Sequence, residues 1–239
     1  MASAANTLQE SLLPARLPDI ADLRLLSAYR AVTAGSSVGG DWFDCLRVSD
    51  REVALVIGDV MGKGFRAAAA MGQVRTALRA AAAYDPSPAA VLTSLDSGVL
   101  ELEDDEIVTL AYALLDLDTG RLGVARAGHP PPLIGRADGS VEVVEEGGSP
   151  PIGWRDVPRT EAWTTLERGS ALVLYTDGLV ESRRRSLDDG ITELGDAVAG
   201  LHRGSGVDPS GWARWLDAIQ ARDDWQDDVA VLIALYLER

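Results

Sequence analysis

Residues 108–127, VTLAYALLDLDTGRLGVARA, contain the pattern that decides the fold class. Two apolar runs, 108–116 and 122–127, lie on either side of the turn sequence Asp118-Thr119-Gly120, which predicts a β-hairpin. Similar apolar runs predict further strands at 23–33, 42–48, 52–57, 130–134, 140–144, 163–166, 171–175 and 229–237. Because short turns join most of these runs, the sheets should be mainly antiparallel.

Helical patterns are found outside this β-rich middle. The alanine-rich segment 65–83 is the strongest of them, since alanine is the best helix former. Further helices are predicted at 4–13, 87–102, 191–202 and 210–221. In the last of these, Trp212, Trp215, Leu216 and Ile219 recur at helical spacing, which is typical of a stripe facing the core. Helices packed outside antiparallel sheets indicate an α+β fold in one domain.

Composition excludes several classes of protein. The 239 residues carry 22 lysine and arginine against 37 aspartate and glutamate residues, a net charge of −15, which argues against a nucleic-acid binder. No apolar run is long enough to span a membrane, and the start lacks the pattern of a signal peptide. The single cysteine excludes an internal disulfide and favours the cytoplasm. With only two histidines, a metal site would have to consist of carboxylates, which suit Mg²⁺ or Mn²⁺.

Aspartates stand beside glycine or a strand end at four separate places: Asp41, Asp59, Asp177 and the pair Asp227-Asp228. A carboxylate at the end of a buried strand is held by a rigid element, so these four positions could converge on one site. Aspartate beside glycine is also ordinary turn chemistry, and Asp116, Asp118 and Asp138 are interpreted in that way. The long apolar strand beside each of the four positions favours the site.

Two phosphate-related motifs do not fit the sequence. Gly58 to Gly64 has three residues before Gly-Lys where a Walker A loop needs four, and Gly64 stands where that loop has serine or threonine. Tyr175-Thr176-Asp177-Gly178 has the start of a haloacid-dehalogenase motif, but Leu179 stands at the position of its second aspartate.

The ordered set of motifs resembles the PPM-type (protein phosphatase 2C) serine/threonine phosphatases, and most closely their bacterial SpoIIE/RsbU-like branch. The segments that carry the resemblance are LQESLLPARLP at 8–18, VGGDWFD at 38–44, IGDVMGKGFRAAAAMGQVRTALR at 57–79, AGHPPPLIGRADGSV at 127–141, SPPIGW at 149–154, LVLYTDGLVESR at 172–183 and DDVAVLIALYL at 227–237. They cover nearly the whole chain in the family's order.

This resemblance implies an α-β-β-α sandwich of two antiparallel sheets flanked by helices. It also implies a metal site whose residues carry the catalysis: Asp41, Asp59 as the bridging ligand, the carbonyl of Val60, Asp177 and Asp227, with Asp228 as the alternative to Asp227. Two Mn²⁺ or Mg²⁺ ions would activate a water that attacks the phosphorus of phosphoserine in line. Neither Arg24 nor Arg30 can be assigned by motif as the phosphate-binding arginine, and His129 is interpreted as structural.

By family analogy, the expected substrate is a phosphorylated STAS-type anti-sigma-factor antagonist (an anti-anti-sigma factor) in a bacterial stress or developmental pathway. Two alternatives stay open: a non-catalytic scaffold that binds a regulatory phosphoprotein, and a phosphohydrolase of small molecules. Residues 1–18 are expected to form a regulatory lead-in to a catalytic domain at 19–239. Leu8, Leu12 and Leu13 would either pack on the domain or support a homodimer or contact with an upstream sensor domain.

Overall fold

The computed structural model describes residues 13–14, 16–31, 39–62, 64–99, 107–154, 157–202, 207–222 and 225–238. The predicted helix at 4–13 lies outside the described residues apart from Leu13, which packs half-buried against the core. Within the described part of the chain, no helix is both long and apolar enough to cross a membrane.

The strands form two sheets. Their bounds are β1 (Leu23–Arg30), β2 (Trp42–Arg47), β3 (Glu52–Val60), β4 (Val108–Asp116), β5 (Arg121–Ala127), β6 (Leu133–Gly135), β7 (Val141–Val143), β8 (Gly148–Ser149), β9 (Ala162–Thr165), β10 (Ala171–Tyr175) and β11 (Val229–Tyr236). Sheet A has the order β1-β11-β10-β6-β7, and sheet B has the order β2-β3-β4-β5-β8, with β9 also paired to β5. Every strand pair is antiparallel except β5 with β8.

The helices lie outside the two sheets. They are α1 (Phe65–Tyr84), α2 (Pro88–Ser94) with a π-helical turn at Leu95–Val99, the single turn α3 (Asp177–Val180), α4 (Leu187–His202) and α5 (Pro209–Gln220). One apolar layer lies between the sheets, where Leu55 of sheet B and Leu232 of sheet A belong to the same cluster. A second layer joins sheet B to α1 and α2, and a third joins sheet A to α4 and α5. The α-β-β-α sandwich and the α+β class are thereby confirmed.

The stripe on α5 packs as its spacing predicts. Trp212, Leu216 and Ile219 are buried against sheet A, and Trp215 packs half-buried beside them. The helix starts where Asp208 accepts hydrogen bonds from the backbone N–H groups of Ser210 and Gly211, an N-cap that satisfies two donors of the first turn.

Several elements differ from the sequence-based expectation, among them the following. Strand β3 continues through Gly58 to Val60 because β4 pairs with it along its whole length, so Asp59 lies within the strand opposite Thr109. The helix predicted at 87–102 is α-helical only to Ser94 and ends in the π-helical turn. The two-residue strand β8 was not predicted, since a strand this short leaves no alternation pattern to detect.

Candidate metal and phosphate site

The sandwich brings the predicted aspartates together at one end. In sheet B, Asp41 precedes β2 and Asp59 lies near the end of β3. In sheet A, Asp177 begins α3 directly after β10, and Asp227 and Asp228 directly precede β11. Because β10 and β11 are antiparallel neighbours, the end of one lies beside the start of the other. We call these five residues the carboxylate cluster.

Asp59 is electrostatically central in this cluster. The pKa of its carboxyl is raised to about 6, mainly by burial; the hydrogen bond with Asp41 lowers it, and the charges of Asp177, Asp227 and Asp228 contribute to the rise. Burial is also the main reason that the pKa of Asp41 lies well above its ordinary value, followed by the charge of Asp59. Asp59 therefore interacts with all four other carboxyl groups, as the position of a bridging ligand requires.

The two members of the C-terminal pair act on different partners besides Asp59. Asp228 acts on Asp41, whereas Asp227 acts on Asp177, whose pKa is raised first by burial and then by that neighbouring charge. Asp228 is 5% exposed, and Asp227 is exposed. Both members of the C-terminal pair thus act on the cluster, whereas the sequence interpretation preferred Asp227 and kept Asp228 as the alternative.

Backbone approach within the site depends on glycine. A Cβ on Gly40 would lie 2.0 Å from the carbonyl oxygen of Val60 and 2.9 Å from Oδ1 of Asp59. A Cβ on Gly178 would lie 2.0 Å from the carbonyl oxygen of Asp228. Any larger residue at either position would push apart the segments that carry the carboxylates. The Val60 carbonyl oxygen and Oδ1 of Asp59 thus both face Gly40, and the role of this carbonyl as a metal ligand stays a prediction.

Sequence reasoning missed two residues that hold the cluster. The hydroxyl of Thr176 donates a 2.7 Å hydrogen bond to Oδ2 of Asp41 and accepts a 2.9 Å bond from the N–H of Ala230. The pKa of the Tyr29 phenol is raised, first by burial and then by the charge of Asp228. A Cβ on Gly39 would lie 2.6 Å from that phenol oxygen and 2.2 Å from Oδ2 of Asp228. No local motif signals these contacts, since each joins distant segments.

His129 connects the two sheets behind the cluster. Its Nε2 lies 3.1 Å from the carbonyl oxygen of Tyr175 and its Nδ1 lies 3.0 Å from the hydroxyl of Thr109. A carbonyl can only accept, so Nε2 carries the proton and Nδ1 accepts from the threonine. Burial is the main cause that lowers the pKa of this imidazole to about 3, so the ring is neutral at physiological pH. These contacts fit the structural role inferred from the sequence.

The register of β1 separates the two candidate phosphate-binding arginines. Arg30 pairs with Val229 at the site end, whereas Arg24 pairs with Leu235 near the opposite end of the sheet. Tyr29 packs against the layer between the sheets, so alternation along β1 directs the neighbouring Arg30 to the outer face of sheet A. The inner position beside the carboxylate cluster is therefore a tyrosine.

The donor set consists of carboxylate and backbone oxygens, the ligands that Mg²⁺ and Mn²⁺ prefer. A divalent cation would offset the mutual repulsion that raises the pKa values of Asp41, Asp59 and Asp177. Among the described residues, however, no three His, Cys, Asp or Glu side chains are grouped tightly enough to enclose a metal ion as they stand. The ligand set Asp41, Asp59, Val60, Asp177 and Asp227 thus stays a prediction whose chemistry fits.

Comparison with known proteins agrees with this architecture. The family described as stage II sporulation protein E (SpoIIE) matches residues 49–236. The phosphoserine phosphatase RsbU of Bacillus subtilis is 28% identical over 185 residues, which cover 75% of this chain and 53% of RsbU. The chain spans about a third to a half of the length of the curated relatives it matches.

Solved structures show the same fold. The RsbU and RsbW domains of Rv1364c from Mycobacterium tuberculosis superpose with a TM-score of 0.83 at 30% identity, covering 95% of this chain and 63% of that one. The catalytic domain of the serine/threonine phosphatase PstP, solved in complex with two manganese ions, has a TM-score of 0.60 at 19% identity, covering 90% of this chain and 99% of that one.

Proposed function

Because the chain belongs to the SpoIIE family of PP2C-type phosphatase domains, we propose that it is a metal-dependent protein serine/threonine phosphatase. The observation that carries the proposal is the central place of Asp59. Its carboxyl group interacts with all four of the others: Asp41, Asp177, Asp227 and Asp228. A site for two cations that share one bridging carboxylate needs this arrangement.

The residues that would hold two Mn²⁺ or Mg²⁺ ions are Asp41, Asp59, Asp177 and Asp227 through carboxylates and Val60 through its carbonyl. When bound, such ions supply Lewis acidity toward a water and toward the phosphoryl oxygens. The manganese-containing structure of PstP supports divalent ions in a domain of this fold.

The chain itself contributes orientation. Thr176 fixes Asp41 by a direct hydrogen bond, so this carboxylate is held from sheet A although it belongs to sheet B. Gly40 lets the Val60 carbonyl approach Asp59, and Gly178 lets α3 approach the backbone of Asp228. Preorganised donors of this kind lower the cost of reorganisation during phosphoryl transfer.

The proposed substrate is a phosphoserine on a STAS-domain anti-anti-sigma factor. The names of RsbU, a phosphoserine phosphatase, and of the RsbU and RsbW domains of Rv1364c support a phosphoprotein substrate in such a pathway. Residues 1–18 as a regulatory lead-in to the domain at 19–239, with a homodimer or sensor contact through that segment, belong to the same proposal. So does a cytoplasmic location, which the buried free thiol of Cys45 favours.

The alternative, a non-catalytic scaffold, is not favoured, because a scaffold has no need to keep every carboxylate of the cluster. A phosphatase assay with p-nitrophenyl phosphate and then with a phosphorylated STAS protein, each with and without Mn²⁺, tests the proposal. We expect metal-dependent turnover that Asp59→Ala and Asp177→Ala each reduce by orders of magnitude, whereas Asp138→Ala in an exposed turn retains it. Full turnover in chelator, or in the first two variants, would contradict the mechanism.

A further inference from the structure

A groove lined by arginines extends from the carboxylate cluster. A cavity of about 650 Å³ is bounded by Asp177 and Asp227 at one end and by Arg183 and Trp225 at the other. A second cavity of about 620 Å³ shares Arg183 and Trp225 with the first and continues to Arg184 and Arg222. The two cavities thus adjoin along shared walls. We call the part lined by Arg183, Arg184, Arg222 and Trp225 the arginine groove.

The tip of a tight turn presents Arg183 and Arg184. The backbones of Ser182 and Arg185 bond to each other in both directions, with N–O distances of 3.1 and 3.2 Å, which leaves the two residues between them at the corner. Both arginines are exposed, and within the described residues neither guanidinium has a hydrogen-bonding or ion-pairing partner. Their side chains are therefore available to an external ligand.

Arg185 has a different role, because it fastens this turn to the domain. Its guanidinium donates to the carbonyl oxygens of Val180 and Leu179, at 2.7 Å each, and to Glu193 at 2.7 Å. From the other wall, Gln226 accepts a 3.3 Å hydrogen bond from the backbone N–H of Arg183. The backbone of the turn is thus held in place, whereas the guanidinium groups of Arg183 and Arg184 remain available. This is the arrangement of a preformed binding element.

The opposite wall adds a third cation and an aromatic face. The guanidinium of Arg222 lies 4.2 Å from the ring centre of Trp225, and the indole N–H donates to the carbonyl of Ile219 at 3.1 Å. Among the described residues that line the second cavity, Glu181 is the one unpaired acidic side chain, since Glu193 forms an ion pair with Arg185. Asp223 and Asp224, which follow Arg222 in the sequence, lie outside the described residues.

We infer that the arginine groove binds acidic side chains of the protein substrate, next to the phosphoserine whose phosphate enters the carboxylate cluster. The inference rests on the proposed phosphatase function and adds its specificity. A protein with a net charge of −15 repels acidic partners in general, so the exposed guanidinium groups of Arg183 and Arg184 beside the reaction site select the approach of an acidic segment. Arginine forks match carboxylates in a bidentate geometry.

The test compares kcat/KM of the Mn²⁺-loaded protein for three substrates: p-nitrophenyl phosphate and two phosphoserine peptides of equal length with acidic or neutral flanks. The wild type should prefer the acidic peptide about tenfold, through KM, and rising salt should reduce this preference. Arg183→Ala/Arg184→Ala should remove the preference, and Arg183→Glu/Arg184→Glu should reverse it, so that the neutral peptide becomes the better substrate. Arg183→Lys/Arg184→Lys should retain most of it.

The matched control is Arg47→Ala/Arg51→Ala, which removes the same charge from exposed positions at the other end of sheet B. The length of β3 separates those positions from Asp59 by roughly 25 Å. An equal loss on all three substrates, or an equal effect of the control, would overturn the inference. Fluorescence anisotropy of a labelled acidic phosphopeptide supplies a second readout, in which Arg183→Ala/Arg184→Ala should weaken binding. If the wild type hydrolyses none of the three substrates, the proposed function fails, whereas the binding arm still decides the inference.

Discussion

The hydroxyl of Thr176 lies 2.7 Å from Oδ2 of Asp41, although the two residues are 135 positions apart in the chain. Thr176 directly follows β10 of sheet A, and Asp41 precedes β2 of sheet B. The same hydroxyl accepts the N–H of Ala230 at the start of β11. The Thr176 side chain thus links Asp41, which leads into sheet B, to β11 of sheet A. The position of Asp41 in the carboxylate cluster therefore depends on how the two sheets pack.

We expect Thr176→Val to weaken metal-dependent turnover ten- to a hundredfold, because residues that orient ligands typically contribute that much. The effect should appear mainly as a higher Mn²⁺ concentration needed for half-maximal turnover of p-nitrophenyl phosphate. Thr176→Ser keeps the donor and should recover most of the activity. If Thr176→Val has the same Mn²⁺ dependence as the wild type, the hydroxyl does not orient Asp41 for metal binding.

The sequence predicted the members of the carboxylate cluster but not this hydrogen bond. Asp41, Asp59, Asp177 and the final aspartate pair stand in recognisable motifs, and their strand-end positions follow from local apolar patterns. Thr176 bonds across the sandwich, and nothing in its neighbourhood specifies a partner 135 residues away. The extension of β3 past Gly58 was missed for the same reason, since pairing with β4 overrides the local turn signal.

A second prediction concerns the stability cost of the carboxylate cluster. Asp59 has a folded pKa of about 6 against an ordinary value of 3.8, so the folded state binds its proton more tightly than the unfolded chain does. The folded state is therefore destabilised by this group as pH rises through 6. In chelator at pH 8, Asp59→Asn should unfold at a higher urea concentration than the wild type, because its free energy of unfolding should be about 1 kcal/mol or more higher. The same variant should lose metal-dependent turnover.

The control for this experiment is Asp138→Asn, which changes an exposed turn carboxylate outside the carboxylate cluster. This variant should neither raise the free energy of unfolding in chelator nor abolish metal-dependent turnover. Equal or lower stability of Asp59→Asn in chelator would contradict the electrostatic role assigned to Asp59.

The buried imidazole of His129 predicts an acid sensitivity of the opposite sign. Its folded pKa of about 3 lies below the ordinary 6.5, so the unfolded state binds a proton between these values and stability falls as pH decreases from 6.5. Between pH 7.5 and pH 5, this group should contribute about 2 kcal/mol of the loss in the free energy of unfolding. His129→Asn should be less stable than the wild type at pH 7.5, and that difference should shrink by about this amount at pH 5 in urea titrations. A constant difference across the two pH values would show that the imidazole is not held neutral.

A buried ion pair network between β2 and α1 leads to the last prediction. Asp44 is 1% exposed and accepts hydrogen bonds from Arg75 at 3.0 and 3.3 Å and from Arg79 at 2.7 and 2.9 Å. The two arginines are one helical turn apart, so both reach the same carboxylate on the strand beneath them. This network fixes α1, which begins just after the segment that carries Asp59 and Val60.

Removing the shared carboxylate leaves two guanidinium groups over an apolar layer, so Asp44→Ala should destabilise the fold by about 3 to 5 kcal/mol. Arg75→Ala should cost more than Arg79→Ala, because the Arg75 side chain is 15% exposed and that of Arg79 is 50% exposed. Arg51→Ala breaks a pair whose partners are 75% and 53% exposed, and it should cost less than about 1 kcal/mol. Urea unfolding of the four variants measures this order. If Asp44→Ala is no more destabilising than Arg51→Ala, the network does not hold α1 against sheet B.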